Sequence, residues 1–199
     1  VIPNGIITDG IECKKSWKQT KYIFFLALLR PNKGAHLLIE AVAKLKASLK
    51  GWKIVIAGKD NEHYASFLKK LIIQYQLEDM ISLPGALYGE DKWNMYRKAD
   101  FFVLPTLNEN FGIVIAEALL CGTPVITCKG APWNGLIDNH CGWWVDRTVE
   151  DITDALNKAI RLQENEIREM GMRGREFVIN NYASNLVAKQ LIDVYKSLL

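Results

Sequence analysis

Several kinds of chemistry are missing from these 199 residues. The four cysteines, Cys13, Cys121, Cys128 and Cys141, form no CxxC pair and no zinc spacing. That excludes a disulfide scaffold and a structural zinc, so reduced core cysteines in a cytoplasmic protein are the expectation. The three histidines, His36, His63 and His140, show no spacing suited to metal ligation or base catalysis. No apolar run approaches the roughly 20 residues of a membrane-crossing helix, and no signal-peptide pattern opens the chain. No repeat or low-complexity tract is present. The net charge is only +3, and the basic residues, among them Lys14, Lys15, Lys69, Lys70, Arg173 and Arg175, are scattered. They read as solvated surface, and a nucleic-acid partner is not indicated.

What is present is a packed core. Hydrophobic residues make up 49% of the chain, which excludes disorder, and the length suits one well-cored domain. Apolar runs at 22–29, 52–57, 80–83, 101–104, 125–127 and 142–145 read as strands. Helical periods lie between them, with Leu37, Leu38, Ala41 and Val42 on one stripe and Tyr64, Phe67, Leu68, Leu71 and Ile72 on another. Further helices are expected at 91–99, 113–121, 149–162, 166–180 and 184–199, with Gly171 and Gly174 weakening the one at 166–180 in its middle. Residues 1–5 read as a strand end and turn cut from something longer, and 6–21 as a linker. The alternation implies an α/β, Rossmann-like, doubly wound parallel sheet of about six strands, helices on both faces, with helices alone at the C-terminus. Residues 22–181 would be the domain, and ligands would sit outside the carboxyl ends of its strands.

The chain is organised around the stretch LPTLNENFGIVIAEALLCG, residues 104–122. A strand ends at Pro105, a polar loop follows, and Gly112 opens a run in which only Glu117 is not apolar. A helix apolar all round is buried, and a carboxylate there is costly unless paired. Glu117 therefore needs a hydrogen-bonding partner. Glu109, eight positions earlier, lies in a loop where it can stay solvated. Two carboxylates thus flank a helix N-terminus, which is a ready anion site. On the loop after the first strand, Lys33 is expected to sit against a helix dipole with no acid in that turn. Lys33, with Arg30 nearby, is explained if it faces an anion, and the two rim sites together suit a diphosphate.

VIPNG, the RPNKG loop, the Ala57-Gly58 pair, the AD-FFVLP-x5-E-x7-E block and CGTPVI at 121–126 resemble the C-terminal domain of family-4 retaining glycosyltransferases of the GT-B fold. The resemblance covers essentially the whole chain. It implies a domain that binds a nucleoside-diphosphate sugar and transfers a hexosyl group with retention to a glycan or lipid-linked acceptor. That acceptor would be held by a missing N-terminal domain toward which residues 182–199 pack. By the same resemblance Lys33 and Arg30 contact the diphosphate. Glu109 and the backbone of Asn110, Phe111 and Gly112 contact the donor sugar. The N–H groups of Ile113 and Val114 face phosphate, and Glu117 bonds the ribose hydroxyls. Gly58 and the loop with Pro84, Gly85 and Ala86 line the base. It also implies a cytoplasmic polysaccharide-building enzyme, peripherally associated with the membrane when full-length.

Four positions depart from the family pattern. Ala27 and Leu28 stand where a glycine-arginine pair is usual, Ile7 where an aspartate is, and Trp133 where a glutamate is. Trp133 reads as packing, with sugar stacking open. No Asp-x-Asp signature lies on the rim, so neither metal nor other cofactor is expected, the nucleotide sugar being a substrate. Two other classes stay open: a non-catalytic binding module that keeps the fold, and a dinucleotide-dependent oxidoreductase, which the missing GxGxxG disfavours.

Overall fold

The computed structural model describes residues 3–197; Val1, Ile2, Leu198 and Leu199, and what was expected of them, lie outside the described residues. The order is β1 (Tyr22–Leu26), a 3-10 turn (Pro31–Lys33), α1 (Ala35–Lys44), β2 (Lys53–Ala57), α2 (Tyr64–Gln74), β3 (Ile81–Gly85), α3 (Gly89–Lys98) and β4 (Phe101–Leu104). Then follow α4 (Ile113–Leu120), β5 (Val125–Cys128), α5 (Gly135–Asp138), β6 (Gly142–Val145), α6 (Val149–Ala159), α7 (Glu164–Tyr182) and α8 (Ser184–Ser197).

All six strands are parallel, in the order β3-β2-β1-β4-β5-β6. Strands β1, β4 and β5 are buried along almost their whole length, as continuous apolar runs require. Pro84 falls inside β3, which an edge strand tolerates. Helix α1 packs against α2 and α6, and α4 against α3 and α7, so the sheet is covered on both faces. Thr148 caps α6 by accepting from the Asp151 N–H at 3.0 Å, and Gln163 with Glu166 forms a capping box at α7.

Five expectations need correction. The first strand stops at Leu26, and Leu28, expected within it, is 42% exposed. Phe67 is 47% exposed, not part of the inward stripe of α2. A four-residue helix, α5, was not foreseen; one turn is too short for a period to register. Helix α7 runs unbroken through Gly171 and Gly174. These glycines serve close approach: a Cβ at Gly171 would stand 2.2 Å from the Gly122 oxygen, and one at Gly174 2.7 Å from Leu119 Cδ2. They let α7 settle on α4.

The last correction concerns the supposed linker and its lysines. Residues 6–21 are strapped to the domain. Ile6 bridges to Ala183, and Lys14 and Arg175 are not solvated surface. Lys14 is 6% exposed, its Nζ donating to the Ala99 oxygen at 2.6 Å and its backbone N–H to the Cys121 oxygen. Arg175 donates to the Leu120 and Ile11 oxygens. Asp100 accepts from the Thr20 and Tyr22 N–H groups. Residues 13–20 of the strap thus lie beneath the strand N-termini, at the end opposite the carboxyl ends of the strands.

Burial lowers Lys14 from 10.5 to about 8, against an upward pull from Asp100. Below about pH 8 both folded and unfolded chains hold this proton and the cost of burying the charge is fully present. Above it the folded chain releases the proton first, so stability rises with pH. Buried thiols Cys121, Cys128 and Cys141, raised from 9.0 to about 12, act oppositely as the pH nears and passes 9, and largely offset the gain there. The thiols are common to the parent and to Lys14→Met, so the difference in stability between the two isolates the lysine. By chemical denaturation that difference should shift by about 1 kcal/mol in favour of the parent from pH 7 to 9; a difference that does not change with pH contradicts the assignment.

Candidate functional site

The sheet grows from β1 outward through β2 to β3, then restarts at β4 beside β1 and grows the other way. The switch point lies between β1 and β4, and ligands of open parallel sheets bind there. The loops leaving these strands, 27–34 and 105–112, are the two that hold Lys33 and Glu109. They are bound to each other. The Leu107 N–H donates to the Asn32 oxygen at 2.7 Å, and Thr106 Oγ1 donates to the same oxygen at 3.4 Å. Gly34 has φ +77°, and a Cβ on it would stand 2.1 Å from the Pro105 oxygen, so only glycine fits. Arg147, just beyond β6, donates from Nε to the Pro105 oxygen at 3.0 Å and from Nη2 to the Pro31 oxygen at 3.1 Å.

Across this junction Lys33 Nζ meets Glu109 Oε1 at 2.5 Å, both side chains mostly buried. Two expectations change here. Lys33 ends the 3-10 turn ahead of α1, whose N-cap is Gly34, so it is not within the first turn of a helix. Its acid comes instead from a residue 76 positions away. Glu109 is not solvated: its side chain is 16% exposed and paired.

Helix α4 starts at Gly112, φ +80°, with no side chain capping it. Its N-terminal dipole end is thus open beside the Lys33–Glu109 pair, with Ile113 exposed and Val114 half-buried. One turn on, Glu117 is 8% exposed. The partner its burial demands is double: Lys92 Nζ at 2.7 Å from Oε1 and the Tyr96 hydroxyl at 3.0 Å from Oε2. Tyr96 is fully buried, and burial with the neighbouring Glu117 charge holds its proton well above the usual tyrosine value. Glu117, Ile113 and Trp93 line a cavity of about 520 Å³ against residues 5–11.

The other expected residues are placed as follows. Arg30 pairs with Glu62, Nε to Oε1 3.0 Å. Gly58 donates its N–H to the Gly85 oxygen, and a Cβ there would fall 1.7 Å from the Ala27 oxygen, so packing alone requires this glycine. Pro84 is exposed, Gly85 and Ala86 are half-buried, and all three lie at the same strand ends. Asn110 is exposed, whereas Phe111 is buried in an aromatic cluster with Trp133, Phe177 and Tyr182. Trp133 is 1% exposed and donates to the Phe111 oxygen at 2.5 Å, so it packs the Gly112 turn from behind and cannot stack on a sugar. His36 Nδ1 is 2.7 Å from the Tyr64 hydroxyl; burial, then Arg147, lowers its affinity for a proton. Among the described residues no group of three or more His, Cys, Asp or Glu converges to hold a metal ion, and no helix is long and apolar enough to cross a membrane.

Three residues escaped the sequence reading: Lys92, Tyr96 and Arg147. For the first two a signal existed, since Glu117 had to be paired and both lie on the neighbouring α3 at i and i+4. Arg147 had none. Its double hydrogen bond should hold loops 27–34 and 105–112 together, so Arg147→Met should cost about 1–2 kcal/mol of local opening. Hydrogen exchange should show the Leu107 amide losing about tenfold protection while β2 amides keep theirs. Unchanged exchange at Leu107 contradicts the clamp.

Comparison with known proteins fits this geometry. The family described as "Glycosyl transferases group 1" matches residues 11–177. Among curated relatives, the phosphatidylinositol N-acetylglucosaminyltransferase GPI3 subunit of Saccharomyces cerevisiae (strain YJM789) is 25% identical over 210 residues, taking in 100% of this chain and 45% of that protein. The chain spans about half the length of the first curated relatives it matches. Among solved structures, Anabaena Alr3699/HepE, in complex with UDP-glucose, has TM-score 0.85 at 20% identity over 99% of this chain and 57% of its own. The C-terminal domain of the glycosyl transferase group 1 family protein LpcC from Francisella tularensis has TM-score 0.77 at 23% identity, over 90% of this chain and 99% of its own. A match running from the strap through nearly all of α7, on this doubly wound sheet, makes the chain a member of the glycosyl transferases group 1 family with the fold of GT-B glycosyltransferases.

Proposed function

We propose that this chain is the donor-binding half of a retaining glycosyltransferase, and that it holds a nucleoside-diphosphate sugar at the β1–β4 switch point. The observation that carries this reading is the pairing of Lys33 with Glu109 beside the uncapped start of α4. A diphosphate there meets a lysine, the half-exposed guanidinium of Arg30, and the Ile113 and Val114 N–H groups. Transfer breaks the bond between the anomeric carbon and the diphosphate oxygen while the acceptor hydroxyl oxygen bonds to that carbon, its proton passing to the departing diphosphate. Negative charge grows on the leaving diphosphate, and fixed cations and backbone dipoles stabilise it without a metal. Glu109, anchored by Lys33, is placed to accept from sugar hydroxyls. Glu117, at the edge of the cavity, has lone pairs left for the ribose hydroxyls, and the strand ends at Pro84, Gly85 and Ala86 form the base side.

A hexosyl group is the transferred unit and a glycan or lipid-linked hydroxyl the acceptor, held by a further domain. That HepE is described with UDP-glucose supports the donor class. The full protein would work at the cytoplasmic face of a membrane, and this chain alone would bind donor without transferring it.

Calorimetry on two variants tests the reading. Glu117→Gln should weaken a bare nucleoside diphosphate by about 1–2 kcal/mol. Glu109→Gln, which frees Lys33 for phosphate, should leave the bare diphosphate no weaker and should weaken only the sugar-bearing donor. The reverse pattern contradicts the assignment of the two glutamates, and no change in either affinity returns the pair to a structural role.

A further inference from the structure

Lys92 has no role in the reading above, yet it holds one of the two protein contacts of Glu117. Tyr96, the other donor, is fully buried and its proton is committed to Glu117, so it cannot turn toward a ligand. Lys92 can. Its side chain is 22% exposed, its Nζ lies 4.3 Å over the Trp93 ring, and both Trp93 and Glu117 line the cavity.

We infer that Lys92 is a ligand-contacting, specificity-determining residue that acts with Glu117 to read the paired hydroxyls of the nucleotide's ribose. This rests on the donor-site reading. A hydroxyl is at once donor and acceptor, a carboxylate is acceptor only, and an ammonium is donor only. Glu117 and Lys92, 2.7 Å apart, present an acceptor and a donor side by side. Each Glu117 oxygen accepts one proton in the unliganded chain and keeps a lone pair for a ribose hydroxyl. Lys92 keeps two N–H groups after bonding Glu117, and one of them can reach the oxygen of the same hydroxyl. Only a ligand with both hydroxyls saturates the pair. A 2′-deoxyribose leaves a charged donor and a charged acceptor partly unmatched in a poorly solvated place, and that mismatch is what sharp discrimination requires. If Lys92 were a counter-ion and nothing more, it would strengthen ribose and deoxyribose ligands alike.

Calorimetric titration with UDP, GDP and ADP and with their 2′-deoxy counterparts separates these roles. The parent chain should prefer the ribonucleotide by about tenfold or more for whichever base it binds. In Lys92→Met the preference should fall to about two- to threefold, and Lys92→Arg, which restores a charged donor, should recover most of it. Should Lys92→Met fail to fold, Lys92→Ala is read in the same way, melting curves confirming the fold. A Lys92→Met variant that weakens both ligands equally, or neither, keeps the parent ratio and overturns the inference while leaving the donor site intact. A parent chain that binds none of the six ligands removes the donor-site reading itself and this inference with it.

Discussion

A carboxylate inside a helix that is otherwise apolar is the constraint from which this site is built. Isolated, the Glu117 charge would cost several kcal/mol. Helix α4 cannot shed its apolar surroundings, because Ile115, Ala116, Ala118, Leu119 and Leu120 fill the space between sheet and α7. The compensation comes from the side: α3 lies where Tyr96 and Lys92 reach both oxygens. Tyr96 is in turn wedged edge-on against Phe24 of β1. The carboxylate is thus tied through one aromatic ring to the centre of the sheet, which gives it a fixed position rather than a solvated range of them.

The second glutamate follows the same logic from the other side of the helix start. Glu109 and Lys33 arrive on loops that diverge from adjacent strands at the point where the sheet reverses its direction of growth. Both acids flanking the start of α4 therefore carry their own lysine. The local charge is balanced before any ligand arrives, so an incoming dianion does not meet two bare carboxylates. Lysine, a compact charge with three rotatable donors, can serve its glutamate and a phosphate together. Arg147 keeps the two loops in one register, and the aromatic cluster around Trp133 supports the Gly112 turn from behind.

Much of this was legible in the sequence, for identifiable reasons. The four inner strands are short apolar runs buried on both faces, and their alternation with helical periods leaves few folds. The demand that Glu117 be paired follows from its neighbours alone. Its partners were harder to name, because Lys92 lies 25 positions before Glu117 and no period links them. The Lys33–Glu109 pair was missed for the same reason, and each residue was judged against its own segment, where Lys33 lacked an acid and Glu109 looked solvated. Gly171 and Gly174 read as helix weakeners since propensity is local, whereas their use, contact with α4, is tertiary. Lys14 looked like one surface lysine among several; only the strap's path beneath Ala99 and Asp100 makes it buried. The family resemblance pointed to the loops after the strands as the rim to examine, and the geometry revised which side chains on it are free to move: Arg30 is engaged with Glu62, and Trp133 is sealed in the core.

The central claim is that side chains and backbone dipoles at the switch point bind a nucleoside diphosphate without a metal. Calorimetric titration of the chain with UDP, GDP and ADP in excess chelator, beside Lys33→Met, tests it most directly. The account predicts saturable one-site binding of at least one of them, weakened by about 1.5–3 kcal/mol in the variant, the range for a hydrogen bond to a charged group. Binding that appears only when magnesium is restored, or that Lys33→Met leaves unchanged, would contradict it.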